Sequence, residues 1–97
     1  MEYFEQKNMT HQKTVTIQNS RGLHARAAAK FVNTAGQFDA DVSVRKSGQN
    51  VSGLSIMGLM TLAAGIGSEI EIMATGPEAA NALSTLVQLI EDRFEEN

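Results

Sequence analysis

The chain is predicted to fold as an α+β two-layer, open-faced sandwich: a four-stranded antiparallel sheet with three helices on one face. Three observations carry this prediction. Short stretches alternate apolar and polar residues as half-buried strands do. Other stretches repeat apolar residues at helical spacing. The two kinds interleave as β-α-β-β-α-β-α within 97 residues, the length of one domain. With so few elements, apolar faces are covered most economically when all helices pack on one side of a single sheet.

Residues 1–12 are polar and aperiodic, and are read as a flexible extension preceding a domain at 13–97. His11 falls in that extension and is assigned no function. Lys13–Gln18 alternates, with Val15 and Ile17 on one face, and Asn19-Ser20-Arg21-Gly22 makes the turn that follows. Ala25–Gln37 is a helix whose inward residues are Ala28, Phe31, Val32 and Ala35, with Gly36 weakening its last turn. Ala40–Lys46 directs Val42 and Val44 inward. Ser47-Gly48-Gln49-Asn50 then reads as a hairpin turn into a short strand at Val51–Gly53.

Ser55 stands where it can N-cap a short helix with the stripe Ile56, Leu59, Met60 and Ala63, closed by Gly65-Ile66-Gly67. Ser68–Ala74 is the fourth strand, with Ile70 and Ile72 inward. Pro77 opens the final helix, where a missing N–H costs nothing. Its apolar face is Ala79/Ala80, Leu83, Leu86/Val87, Ile90 and Phe94. Split crossovers of this kind are expected to set the first and last strands between other partners, as in ferredoxin-like sandwiches.

Composition narrows the function. Apolar residues make up 42% and charged residues 20%, which is ordinary for a globular domain. The net charge of -3, with the basic residues scattered, argues against nucleic acid as a partner. The absence of cysteine removes disulfide and zinc-thiolate chemistry and fits a reducing compartment. No apolar run approaches the roughly 20 residues of a membrane span, and Met1–Lys13 lacks a signal-peptide core. A cytoplasmic protein without membrane insertion is expected.

The stretch Gly22-Leu23-His24-Ala25-Arg26 carries the chemistry. It places a histidine and an arginine two residues apart where a turn gives way to a helix. Imidazole is a usable nucleophile near neutral pH. The first backbone amides of a helix, here at Ala25, Arg26 and Ala27, have no partner in the helix and attract anions. A guanidinium at Arg26 suits phosphate oxygens through its planar fork. Other sites fit poorly: the glycines form no P-loop, the serines lack an adjacent base and acid, and no second histidine in the domain supports a metal site. Neither metal nor cofactor is expected.

Gly22-Leu23-His24-Ala25-Arg26, followed by Ser55-Ile56-Met57-Gly58-Leu59-Met60 and set in the β-α-β-β-α-β-α order, resembles the HPr family, the histidine-containing phosphocarriers of the bacterial phosphotransferase system. The resemblance runs from Lys13 to Phe94. It implies that His24 takes a phosphoryl group on Nδ1 from phosphorylated enzyme I and passes it to EIIA-type proteins, with Arg26 stabilising the phosphate. The protein is then a carrier and not itself an enzyme, and a monomer is expected. Ser55 matches the regulatory serine that an HPr kinase/phosphorylase modifies in many bacteria, while capping alone would also account for a serine there. Ile56, Met57 and Met60 form the implied partner-binding patch, which adaptable methionines suit. Family members usually carry proline after the arginine. Here it is Ala27, which adds an N–H near the phosphate and implies altered, not abolished, transfer.

Two alternatives stand beside the carrier. One is a regulatory module that docks partners through Ile56–Met60 without histidine phosphorylation. The other, a small ligand-binding domain, lacks an evident deep pocket.

Overall fold

The computed structural model describes residues 9–96. Its elements follow the expected order: β1 (Thr10–Thr16), α1 (Ala25–Ala35), β2 (Asp41–Lys46), β3 (Gln49–Ser52), α2 (Ile56–Thr61), β4 (Glu69–Thr75) and α3 (Ala79–Glu91), followed by a single turn at Arg93–Glu95. The four strands form one antiparallel sheet in the order β1-β4-β2-β3. Both β1 and β2 run antiparallel to β4 and are therefore parallel to each other. β4 fills the strand-wide gap between them, so the last strand is central but the first lies at the sheet edge. This corrects the expectation that both would be flanked.

Alternation along each strand decides what is buried. Val15, Val42, Val44, Ile70, Ile72 and Ala74 point into the core, while Glu69, Asp41 and Arg45 stay outside. On the outer face Arg45 lies opposite Glu71 and pairs with it. α3 packs on β1 and β4, α1 packs on α2 and α3, and α2 covers β3. Phe31, Leu59, Leu86, Ile90 and Phe94 fill the space between the layers. α1 also buries Ala27, and α3 buries Ala82, both outside the predicted stripes. Ala80 is exposed instead.

Several boundaries differ from the sequence reading. β1 begins at Thr10, so residues 10–12 belong to the sheet and not to the extension, and the side chains of Thr10 and Thr75 bond across the ladder at 2.7 Å. The remainder of the extension, residues 1–8, lies outside the described residues. The hairpin turn is two residues long, with Ser47 at φ 52° and Gly48 at φ 84°, both left-handed as a tight hairpin with right-handed twist requires. α1 stops at Ala35 with Gly36 as its C-cap. Pro77 sits in the turn before α3, which starts at Ala79. In α2 only Leu59 is buried. This helix of six residues lies at the rim of the fold, so Ile56, Met60 and Ala63 face outward and Leu62 and Ala64 enter the core in their place.

Candidate functional site

The site is built on a clamped turn. Gly22 adopts φ 64°, and a Cβ there would lie 2.3 Å from the carbonyl oxygen of Ala64. The next amide, Leu23 N–H, donates to that oxygen at 2.9 Å, and the Leu23 side chain is buried. Asn19 is fully buried beneath the turn and donates from Nδ2 to the Gly22 carbonyl at 2.9 Å. Turn 19–22 and the loop after α2 are thereby fixed against each other.

His24 is the N-cap of α1, in extended conformation (φ −74°, ψ 178°). Its carbonyl accepts from Ala28 N–H at 2.9 Å, and its side chain makes no capping bond. The amides of Ala25, Arg26 and Ala27 consequently have no acceptor within the helix, the condition for anion binding. Arg26 is exposed, makes no ion pair among the described residues, and lines an open cleft with Ser20, Arg21 and Glu96. On its other side His24 borders a shallow hollow with Arg21, Leu23, Met60 and Ala64.

The imidazole does not stand free at the helix mouth. The side chain retains 23% exposure and lies against Glu96, with Nε2 3.1 Å from both Oε1 and Oε2. Asn19 Nδ2 also donates to Glu96 Oε1 at 2.8 Å. That bond chiefly holds the Glu96 carboxyl below the usual carboxylate range, helped by the hydrogen bond from His24 and the electrostatic influence of the imidazole and of Lys30, against the opposing effect of partial burial.

Glu96 reaches this position through a left-handed turn, with Arg93, Phe94 and Glu95 at φ 59°, 54° and 63°. Each such non-glycine residue costs on the order of 1 kcal/mol. Phe94 offsets this by complete burial, a gain of about 1.5–3 kcal/mol for a large apolar side chain. Lys30 Nζ donates to the Phe94 carbonyl at 2.6 Å and lies 3.7 Å from Glu95.

The second motif lies on α2. Ser55 caps that helix, its Oγ accepting from Gly58 N–H at 2.9 Å. Beside it stands an exposed apolar patch: Met57 is 70% exposed, with Ile56 and Met60 at 39% and 38%, and Leu54 and Ile66 are also largely uncovered. Of these residues Met60 borders the hollow at His24, whereas Ser55, Ile56 and Met57 do not.

Three further residues shape the site without a role expected from the sequence: Asn19 and Arg21, which the sequence places only in the turn before α1, and Glu96. Arg21 was detectable, since it lies three residues before His24. Glu96 left no local trace. Among the described residues no group of three or more histidine, cysteine or acidic side chains could hold a metal ion, and no helix is long and apolar enough to cross a membrane.

Comparison with known proteins gives this arrangement its context. The family model described as the phosphotransferase-system HPr component phosphorylation site matches residues 11–92, a stretch holding His24, Arg26 and Ser55. The chain belongs to the HPr family. It is 46% identical over 85 residues to the phosphocarrier protein HPr of Cupriavidus necator, covering 88% of this chain and 96% of that protein. It is 36% identical to the phosphocarrier protein NPr of Shewanella violacea, covering 88% and 93%. The crystal structure of HPr-C-His from Thermoanaerobacter tengcongensis superposes with a TM-score of 0.86 at 40% identity, covering 90% of this chain and 98% of that one. HPr-family membership makes the chain a phosphocarrier of the phosphotransferase system. Glu96 lies beyond the stretch that the family model matches.

Proposed function

We propose that His24 accepts a phosphoryl group on Nδ1 from phosphorylated enzyme I and delivers it to an EIIA-type acceptor, in sugar uptake or in a nitrogen-related regulatory branch. The observation that carries this reading is the position of His24 as N-cap of α1, next to three amides without helical acceptors and the guanidinium of Arg26, which is unpaired among the described residues. In the transfer, the Nδ1 lone pair forms a bond to phosphorus as the bond to the donor breaks. The amides of Ala25, Arg26 and Ala27 and the Arg26 fork balance the charge on the equatorial oxygens. The reverse displacement, by an acceptor's nucleophile, regenerates free imidazole. The chain is a carrier and not an enzyme in its own right, acting as a cytoplasmic monomer. Ala27, in place of the family's usual proline, supplies one amide more.

The exposed patch of Ile56, Met57 and Met60 suits the docking of these partners, since it offers adaptable apolar surface. Ser55 at its edge is the proposed regulatory phosphorylation site for an HPr kinase/phosphorylase. The alternative, a docking module that is not phosphorylated on histidine, leaves the Arg26 cleft without a use.

Incubation with enzyme I and labelled phosphoenolpyruvate tests the reading. An acid-labile, alkali-stable label that vanishes in His24→Ala is expected, and an unlabelled parent protein refutes it.

A further inference from the structure

We propose that Glu96 is a positioning residue that sets the tautomer of His24, accepting a hydrogen bond from Nε2–H and so leaving the Nδ1 lone pair free for phosphorus. The proposal rests on the phosphocarrier reading and concerns how that site is prepared. Two carboxylate oxygens at 3.1 Å from Nε2 require a hydrogen on that nitrogen, because a lone pair facing an ionised carboxylate would be repelled. The carboxylate cannot turn away freely. Oε1 is tied at 2.8 Å to Asn19 Nδ2, and that amide is itself fixed by its bond to the Gly22 carbonyl. Asn19 thus faces two acceptors, which orients its amide with nitrogen toward Glu96 and leaves Oδ1 without a partner among the described residues.

The fold also holds Glu96 in place from the far side. Three consecutive left-handed residues, a buried Phe94 and the Lys30 bond to its carbonyl bring the carboxylate back onto α1. Among the described residues Nδ1 has no hydrogen-bond partner, in contrast with Nε2. Attack by Nδ1 then needs no proton transfer. The neutral ring carrying Nε2–H becomes an Nδ1-phosphoryl imidazolium as the donor's bond to phosphorus breaks, and the Glu96 carboxylate balances the positive charge formed. When the acceptor takes the phosphoryl group, the ring returns to the same neutral tautomer.

The test is nitrogen-15 NMR of the His24 ring in the full chain, in parent and Glu96→Gln. A glutamine whose oxygen still accepts from Asn19 turns its NH2 toward Nε2, which must then act as acceptor. The parent is expected to hold the Nε2–H tautomer, and Glu96→Gln to gain the Nδ1–H tautomer. Labelling by phosphorylated enzyme I is expected to slow about tenfold in the variant, the scale of losing a partner that orients a reacting histidine. Backbone amide shifts of 93–95 report whether the turn remains docked. Should it undock, Glu96→Ala serves as the comparison, with a mixed tautomer population expected. An unchanged tautomer ratio in both variants overturns the proposal. Failure of the parent to take up label would instead refute the phosphocarrier reading, and the NMR comparison does not depend on it.

Discussion

Gly22 and the carbonyl of Ala64 approach so closely that any side chain at Gly22 would collide: a Cβ would stand 2.3 Å from that oxygen. The same oxygen accepts the Leu23 amide, so this contact sets where α1 begins and where His24 points. Gly22→Ala is expected to destabilise the protein by more than about 2 kcal/mol, combining backbone strain with the clash. Gly22→Asn should not recover the loss, although asparagine tolerates a positive φ. Urea denaturation checks both, and full recovery by asparagine would assign the effect to φ alone.

Arg26 separates function from stability. Because the side chain is exposed and unpaired among the described residues, Arg26→Ala should change stability by less than about 0.5 kcal/mol. Loss of one charged donor to the transferring group should slow phosphoryl transfer by about a hundredfold. Arg26→Lys should fall between, keeping the charge but not the fork. Rapid-quench measurement of His24 labelling decides, and a parent-like rate in Arg26→Ala removes the residue from the mechanism.

For Ser55 the two roles come apart by substitution. Ser55→Ala removes the acceptor of the Gly58 amide and should cost about 1 kcal/mol. Ser55→Asp retains a capping oxygen and a charge favoured at a helix start, so stability should stay near that of the parent. Its charge beside Ile56, Met57 and Met60 should nonetheless weaken binding to enzyme I, as a phosphate would. Calorimetric titration with enzyme I reads the difference; equal affinities would argue against a regulatory role for modification at this serine.

The lowered pKa of Glu96 gives a pH signature. A carboxyl held below its ordinary value in the folded state contributes stability that is fully present above the unfolded value, near 4.3 on the usual scale for glutamate. That contribution disappears as pH falls through the lower folded value. The parent should therefore exceed Glu96→Gln in urea midpoint at neutral pH, and the gap should close on acidification below the ordinary glutamate range. A gap independent of pH would mean that ionisation of Glu96 contributes nothing to its docking.

Much of the fold was legible in the residues themselves. Val15 and Ile17, Val42 and Val44, and Ile70 and Ile72 alternate as they are buried, and Ser55 caps the helix that follows it. Pattern failed where an element is short and peripheral. The stripe of Ile56, Met60 and Ala63 resembles a buried face, yet α2 lies at the rim and its one buried residue is Leu59. The edge position of β1 was likewise invisible, since alternation records which face is covered and not which strand is the neighbour.

The sequence by itself determined the order of elements and the pairing of His24 with Arg26 at a helix start, because periodicity, turn chemistry and capping depend on residues a few positions apart. Tertiary structure alone decided what surrounds that histidine. Glu96 is 72 residues from His24 and 77 from Asn19, and these three meet only because α3 crosses the sheet and a left-handed turn closes behind it. Such contacts arise from packing of the whole chain, and no local pattern records them.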